Sequence, residues 1–522
     1  MASRVLGVVR ESVFAALFGA GALTDAYIVA FRIPNLLRDL FAEGSLSSAF
    51  VPTFTQAMER DGRARAFELG NRVVTGLLLV TGLITLLGML FAGPVVELIS
   101  GGFAGDADKE ALTTRLARIM MPVLSFISIS AAWMGMLNAQ SRFVAPAMAP
   151  AIFNVVSIIG GFGLVALRLV PERAIVLFAY VTVVAALAQG LCQAPSLWRT
   201  GFRPRLSLRG VLTDPGVRRI LRLMAPAVVG LAAVQINVVV NTRFAAALGD
   251  GPQTFLNNAF RLFYLPVGVF GVALATVTTT RVSEEAARGD RTALRARTAE
   301  GLRGVWMLGS ASTVGLVVLA MPVVGLIFLR GRFTLADTRA TAIVLQAFIL
   351  GVLPYSMVKN LAPAFYAVDK PRIPMMASLV AVVTNLVFNA STYRILGAPG
   401  LALGTTLGAV ANYLVLRIAY GRVIGPLKTP GFPGLWARLL LANVVLASLA
   451  YGLYRLGAYL LALVHLPVKV GGGGLSGALV LFVAIAGAFL AYTRLLARLR
   501  YPGADELANL PGKLLRKLRP QR

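Results

Sequence analysis

Apolar runs of about twenty residues recur from one end of this chain to the other, each closed by a short polar or glycine-bearing stretch. That is the length a helix needs to cross a ~30 Å hydrocarbon core at 1.5 Å per residue. Fourteen spans are predicted, at 3–19, 22–48, 70–99, 112–138, 145–168, 172–196, 219–247, 256–281, 302–329, 340–366, 373–396, 399–422, 435–462 and 475–499. The first is short for a span. The second contains Pro34 and Gly44, so it should bend or break, as a cavity-lining helix does. No ten-residue alternating segments of a β-barrel are present. No cleavable signal pattern opens the chain, so the first helix is expected to stay. The fold class is therefore an all-α polytopic membrane protein with 14 transmembrane helices.

The pattern also repeats. FAALFGAG at 14–21 returns as FAAALGDG at 244–251, PVVELI at 94–99 as PVVGLI at 322–327, and AQSRFVAP at 139–146 matches AVDKPRIP at 367–374. With Pro34 matching Pro266, the offsets lie between 228 and 232. One six-helix unit thus occurs twice. Six is even, so the copies are parallel repeats about an axis along the membrane normal, with a substrate site expected between them near the midplane. The domains expected are an N-lobe over 1–210, a C-lobe over 211–427, and 428–522 with two extra C-terminal helices and a basic tail. The linker KTPGFPG at 428–434 introduces that last part.

Composition agrees: the 522 residues are 57% hydrophobic, with a mean hydropathy of +0.77. The net charge of +28 would suggest nucleic acid if it were not distributed as it is. Arginines concentrate in alternate loops: Arg60, Arg63 and Arg65; Arg199, Arg203, Arg205, Arg209 and Arg218; Arg288, Arg291, Arg295 and Arg297; and a tail with Lys513, Arg516, Lys517, Arg519 and Arg522. The intervening loops (GAGALTD at 19–25, GDADKE at 105–110, GDGPQT at 249–254 and the glycine run 471–474) are lean or acidic. This is the positive-inside pattern, with added attraction to anionic membrane lipids, and it puts both termini in the cytoplasm. Nucleic-acid binding is not expected. The single Cys192 rules out an internal disulfide, and with the single His465 it leaves little for a Cys/His metal site.

Residues 1–52 break the apolar rule with Arg4, Arg10, Glu11, Asp25, Arg32, Arg38, Asp39 and Glu43. An ionisable group at mid-bilayer costs about 2.5–3.5 kcal/mol on insertion scales, so this many are expected to line a hydrated cavity. Arg261 adds a charge within the eighth span, in NNAFRLFYLP. Arginine keeps its charge when desolvated, and its donor fork suits phosphate oxygens, so Arg4, Arg10, Arg38 and Arg261 form a candidate diphosphate clamp. Snorkelling, or pairing with Glu11, Asp25, Asp39 or Glu43, is the structural alternative. Arg32 and Asp39 read as interfacial charges. Asp25 reads either as a gate or cavity charge or as a helix cap beside Thr24, and Asn35 either as a ligand contact or as satisfaction of backbone freed by Pro34. Asn241, Asn385, Asn389 and Thr405 offer oxygens for a weak sodium site, against interhelical hydrogen bonding. Asp106 and Asp108 form a D-x-D in an outer loop, where no nucleotide sugar is available. No Walker A lysine motif appears.

The run SRVLGVVRESVFAALFGAGALTDAYIVAFRIPNLLRDLFAEGSLSSAFVP resembles the start of the bacterial MurJ/MviN lipid II flippases, and NNAFRLFYLPVGVFGVALATV resembles their eighth helix. The resemblance covers the whole chain. It implies a MOP-superfamily exporter fold of six plus six plus two helices in the bacterial inner membrane. The implied activity moves undecaprenyl-pyrophosphate-linked disaccharide-pentapeptide between leaflets for peptidoglycan synthesis. The family's functional arginines fall on Arg4, Arg10, Arg38 and Arg261, its outer-gate acid on Asp25, and its lipid-tail groove on spans thirteen and fourteen. It also implies a transporter, not an enzyme, working as a monomer by alternating access and beside cell-wall synthesis proteins. No cofactor is implied beyond a sodium or chloride ion. Two departures stand out: only Met1 and Ala2 precede the motif, and asparagines occupy positions where some relatives' sodium site has acids. The competing readings are another polyprenyl-linked oligosaccharide flippase, a MOP-type drug exporter, a membrane polyprenyl-phosphate transferase, and a scaffold. The surplus of arginine argues against cationic drugs.

Overall fold

A computed structural model describes residues 2–39, 45–427, 432–463 and 474–508. Glu43, His465, the start of the KTPGFPG linker and the basic tail lie outside the described residues. The described residues are helical and contain no strand. In order the helices are α1 (Ala2–Phe18), α2 (Ala22–Arg38), α3 (Ser45–Arg60), α4 (Gly62–Leu90), α5 (Ala92–Ser100), α6 (Ala107–Met120), α7 (Val123–Ala139), α8 (Val144–Ala166), α9 (Pro171–Leu191), α10 (Ala194–Trp198) and α11 (Pro215–Ala246). They continue as α12 (Pro252–Pro266), a π-turn over Val267–Gly271, α13 (Val272–Ala287), α14 (Arg291–Val318), α15 (Ala320–Phe328), α16 (Leu335–Ile349), α17 (Val352–Ala367), α18 (Arg372–Val423), α19 (Phe432–Leu463), α20 (Leu475–Arg498) and α21 (Ala504–Ala508).

Among the described residues, ten helical stretches are long and apolar enough to cross a membrane, against fourteen predicted spans. The difference has physical causes. The helices α1 and α2 have 17 residues each, about 26 Å at 1.5 Å per residue, which falls short of the core thickness. The 52 residues of α18 take in two predicted spans, with a non-helical break at Gly397 (φ 59°, ψ −147°). Outward-facing leucines on α4, among them Leu83, Leu86 and Leu90, are exposed as a lipid-facing stripe would be.

The chain divides into two compact units: Met1–Thr254 with Gly331–Phe333, and Phe255–Arg330 with Thr334–Arg522. In the first, α1 packs on α8, α2 on α6, and α7 on α4 and α9. Phe14, Phe18, Tyr27 and Phe178 form its aromatic centre, with ring centroids 4.7 to 6.0 Å apart. There the Tyr27 hydroxyl hydrogen-bonds that of Thr182 at 2.8 Å. Gly331 belongs here too: Arg332 N donates to Ala16 O at 2.9 Å. A Cβ on Gly331 would lie 2.1 Å from that same oxygen.

The stretch 56–69, expected as a basic loop, is helical apart from a turn at Asp61. Arg65 and Glu68 are paired and Ala66 and Leu69 are buried, so helix persists past the apolar run. Arg65 and Arg72 both contact Asp214, Arg65 at 2.7 Å, and both contact Glu68. Asp214 also caps α11 through Gly216 N at 2.7 Å and Val217 N at 3.2 Å. Burial alone would raise its pKa. The Arg72 and Arg65 guanidiniums and the two amides outweigh that and hold the carboxyl below its ordinary value.

In the second unit α13, α14, α17 and α18 share one core, around Leu361, Phe365, Leu416 and Tyr420. The α19–α20 hairpin packs on α14: Asn443 Nδ2 donates to Ser310 Oγ at 3.0 Å, and the Tyr492 hydroxyl to Met307 O at 2.7 Å. Several backbone breaks recur 228 residues apart. Phe91 (φ −97°, ψ 24°) separates α4 from α5 as Leu319 (φ −102°, ψ 17°) separates α14 from α15. Ser141 (φ 58°) and Asp369 (φ 56°) close α7 and α17 in the left-handed region. Both fall inside or beside the repeated sequence motifs.

Candidate functional site

Within the first unit the charged residues of α1 and α2 fall into separate environments. Arg4 is exposed. Arg10 is half-buried, pairs with buried Glu11, and sets its guanidinium over the Phe153 ring, 5.4 Å from the centroid. Both contacts suit a cation held in apolar surroundings. Arg38 donates to Asp39 at 2.8 Å through Nη2 and 3.2 Å through Nε. Arg32, read from sequence as an interfacial charge, donates to Thr242 Oγ1 on α11 at 2.7 Å. Asn35 gives its amide to Phe31 O at 2.9 Å. Its Oδ1 is buried with no hydrogen-bond partner among the described residues. That orphaned acceptor favours a ligand or water contact over pure backbone satisfaction.

Asp25 has the most complete set of partners. Its side chain is fully buried and accepts from Gly251 N at 2.8 Å, Thr254 N at 2.9 Å and Thr254 Oγ1 at 2.6 Å. It therefore caps the start of α12, where unpaired amides and the helix dipole favour an anion. The cap of its own helix is Gly21, which makes no side-chain bond, so the local cap beside Thr24 is not what forms. Its cation is Lys109, 3.6 Å away, rather than an arginine. Lys109 is itself buried, pairs with Asp250 at 2.7 Å and sits over the Phe103 ring at 4.7 Å. Sequence reasoning passed over Lys109 because it lies in GDADKE, a loop read as acidic. The only available signal was one lysine among those acids. Asp106, half of the D-x-D, caps α6 by accepting from Lys109 N at 3.0 Å.

Arg261 lies in the second unit, half-buried on α12. Asn258, one turn earlier, is buried, and its Nδ2 has no hydrogen-bond partner among the described residues. One turn later the Tyr264 hydroxyl meets that of Tyr355 at 3.0 Å. Neither Asn258 nor Tyr264 was singled out from sequence. Asn385, Asn389 and Thr405 also belong to this unit. Asn385 Nδ2 donates to Thr405 Oγ1 at 3.4 Å, and Thr405 in turn to Leu401 O at 3.3 Å. Asn241 belongs to the first unit, where it donates to Asn237 O at 2.9 Å and Oδ1 at 3.1 Å. Interhelical and within-helix hydrogen bonding thus accounts for much of this polar set.

The family model described as lipid II flippase MurJ matches residues 14–489. The chain belongs to the MurJ lipid II flippase family. A probable lipid II flippase MurJ of Bdellovibrio bacteriovorus is 33% identical over 422 residues, covering 80% of this chain and 79% of that one. The lipid II flippase MurJ of Burkholderia cenocepacia is 32% identical over 451 residues, 86% and 87% of the two chains. A solved lipid II flippase MurJ in an inward closed conformation shares the fold with a TM-score of 0.76 at 22% identity, over 95% of this chain and 97% of that one. An inward-facing multidrug MATE transporter of the MOP superfamily shares it with a TM-score of 0.65 at 15% identity, over 82% and 96%. Membership in the MurJ family makes the chain a multi-pass membrane protein of a transporter family.

Proposed function

We propose that this protein translocates lipid II, the undecaprenyl-pyrophosphate-linked disaccharide-pentapeptide, from the inner to the outer leaflet of the bacterial cytoplasmic membrane. The family match across residues 14–489 is the observation that carries this reading. Fourteen spans are assigned as two parallel six-helix lobes, with α19 and α20 flanking the lipid tail and both termini cytoplasmic. The recurrence of backbone breaks 228 residues apart supports the two-lobe layout.

In this proposal Arg10, Arg38 and Arg261, with Arg4 nearer the chain start, replace hydration around the diphosphate, which would not cross hydrocarbon bare. Asn35 supplies its orphaned carbonyl oxygen beside them. Glu11 and Asp39 hold Arg10 and Arg38 in place until the anion arrives. Asp25 works as a latch at the start of α12, released when the site opens outward. Alternating access follows: the head enters sideways while the polyprenyl tail stays in lipid, then closure and outward opening release it. No enzymatic step is assigned. A sodium ion on Asn385, Asn389 and Thr405, or a chloride on the arginines, is the only ion the proposal admits.

A leaflet-resolved lipid II assay in cells depleted of their own flippase tests the proposal. Wild type restores outer-leaflet lipid II, while Arg38→Ala, inserted at the same level, leaves it several-fold lower. Full restoration by Arg10→Ala, Arg38→Ala and Arg261→Ala together would overturn the clamp. Failure of wild type would overturn the substrate.

A further inference from the structure

Within the second unit, α13 and α17 border a recess of about 400 Å³ lined by Val272, Ala275, Thr276, Thr279, Thr280 and Lys359. The recess lies well inside the helices. At 1.5 Å per residue Lys359 is about 12 Å from the Ala367 end of α17, and Thr280 about 10 Å from the Ala287 end of α13. Lys359, seven residues inside the predicted span 340–366, is costly against lipid tails, whereas Thr280 stands at the end of the predicted span 256–281. Thr276 and Thr280 are nevertheless exposed, and Lys359 is only half-buried. No carboxylate pairs with Lys359 among the described residues. Its ammonium lies over the face of Tyr355, 5.2 Å from the ring centroid. The recess therefore opens at the protein surface and carries a positive charge that no carboxylate offsets among the described residues.

The hydroxyl orientations narrow the ligand. Thr276 donates to Val272 O at 2.9 Å, Thr279 to Ala275 O at 2.7 Å and Thr280 to Thr276 O at 3.2 Å. With their protons turned back onto the helix, these oxygens present lone pairs to the recess. Three acceptors beside one ammonium suit a group that offers hydroxyl or amide donors next to an anionic oxygen. Two tyrosines stand between this recess and Arg261 in the same unit. Tyr264 stands one turn from Arg261 on α12, its hydroxyl meets that of Tyr355 at 3.0 Å, and Tyr355 underlies Lys359.

We infer that the recess of Thr276, Thr279, Thr280 and Lys359 is a second headgroup site, taking a hydroxyl-bearing group with a phosphoryl or carboxylate oxygen from a membrane-borne lipid. It rests on the flippase reading insofar as that lipid is the transported one. Lys359 holds the anionic oxygen, and the threonines accept from the neighbouring hydroxyls.

Purified full-length protein in phosphatidylcholine nanodiscs tests this by binding of three lipids: lipid II, bare polyprenyl diphosphate and phosphatidylglycerol. Lys359→Gln should weaken lipid II and polyprenyl diphosphate binding about tenfold and flatten their salt dependence, with Lys359→Arg restoring most of the loss. Thr276→Val/Thr280→Val, both at exposed positions, should weaken only the sugar-bearing lipid. Thermal melting of each variant, matched to wild type, separates a binding loss from misfolding. Loss confined to phosphatidylglycerol would overturn the link to the transported lipid. Unchanged binding of all three in the folded variants would overturn the site itself. Wild-type protein that binds through Lys359 but moves no lipid II would leave this site standing and remove the flippase reading instead.

Discussion

At the scale of single residues, chemistry was legible wherever a charge interrupts an apolar run. Arg10, Asp25, Arg38 and Arg261 stand out because lipid does not tolerate them unpaired. Their partners were not legible, since Lys109 and Gly251 reach Asp25 from 84 and 226 residues away in sequence. Local periodicity carries no record of such contacts. The Asp25–Lys109 pair gives a quantitative expectation. Removing one member of a buried ion pair leaves the other uncompensated, which typically costs about 3–5 kcal/mol. Lys109 keeps Asp250, so Asp25→Asn should cost toward the lower end of that range, and Lys109→Met a similar amount. The double variant should recover about 1–2 kcal/mol relative to the sum, as residues in one network do. Equilibrium unfolding in detergent reads the cycle, and strict additivity would show that the two are not coupled. Asp214 gives a pH expectation. Its folded pKa lies below the unfolded value of about 3.9. Its stabilisation is therefore complete above that value and is lost as pH falls through the lower folded pKa. Melting temperature should hold above about pH 5 and decline below about pH 4. Asp214→Ala should start lower at neutral pH and show less of that decline.

At the scale of elements, hydropathy located the membrane-length runs but not their internal breaks. The predicted span 70–99 runs straight through the bend at Phe91, although Pro94 marks it: with no N–H, Pro94 cannot bond Leu90 O, as Pro322 cannot bond Val318 O at the matching bend. Span 112–138 likewise hides the join between α6 and α7 at Met121 and Pro122. Helix also extends beyond the apolar limits at 62–69, where buried Ala66 and Leu69 and the ion pairs of Arg65 together sustain it. The break between predicted spans 373–396 and 399–422 was legible, since Gly397 and Pro399 sit at the boundary. Gly397 adopts φ 59° and ψ −147°, a region essentially reserved for glycine, and a Cβ there would meet nothing within 4 Å. The cost of Gly397→Ala should therefore be conformational, about 1–3 kcal/mol, with no steric part. Gly397→Asn should cost about the same despite its larger side chain. A loss that grows steeply with side-chain size would show crowding rather than backbone strain.

At the scale of the whole molecule, charge distribution was the most informative feature of the sequence. The +28 net charge is concentrated in alternate stretches between the predicted spans, the pattern expected of loops on one side of a membrane rather than of a patch for a polyanionic partner. The collinear motifs predict a two-lobe repeat, and backbone breaks at Phe91 and Leu319 and at Ser141 and Asp369 recur at the same 228-residue offset. What no sequence pattern can carry is the energy that drives one lobe arrangement into the other. Electrostatics supplies a candidate. A diphosphate moved outward, down an inside-negative potential, gains about 2.3 kcal/mol per net charge per 100 mV. The emptied, arginine-rich site is drawn back inward by the same field. If one net charge crosses per cycle and half the field acts before the barrier, the gain there is about 1.2 kcal/mol at 100 mV, or roughly sevenfold in rate. Collapsing the potential with ion gradients held constant should slow outer-leaflet delivery of lipid II by about that factor. Arg261→Gln removes one positive charge from the returning site, so its residual transport should show a different dependence on potential from that of wild type. Identical slopes for the two would mean that these arginines do not move through the field, and delivery indifferent to the potential would remove this driving scheme altogether.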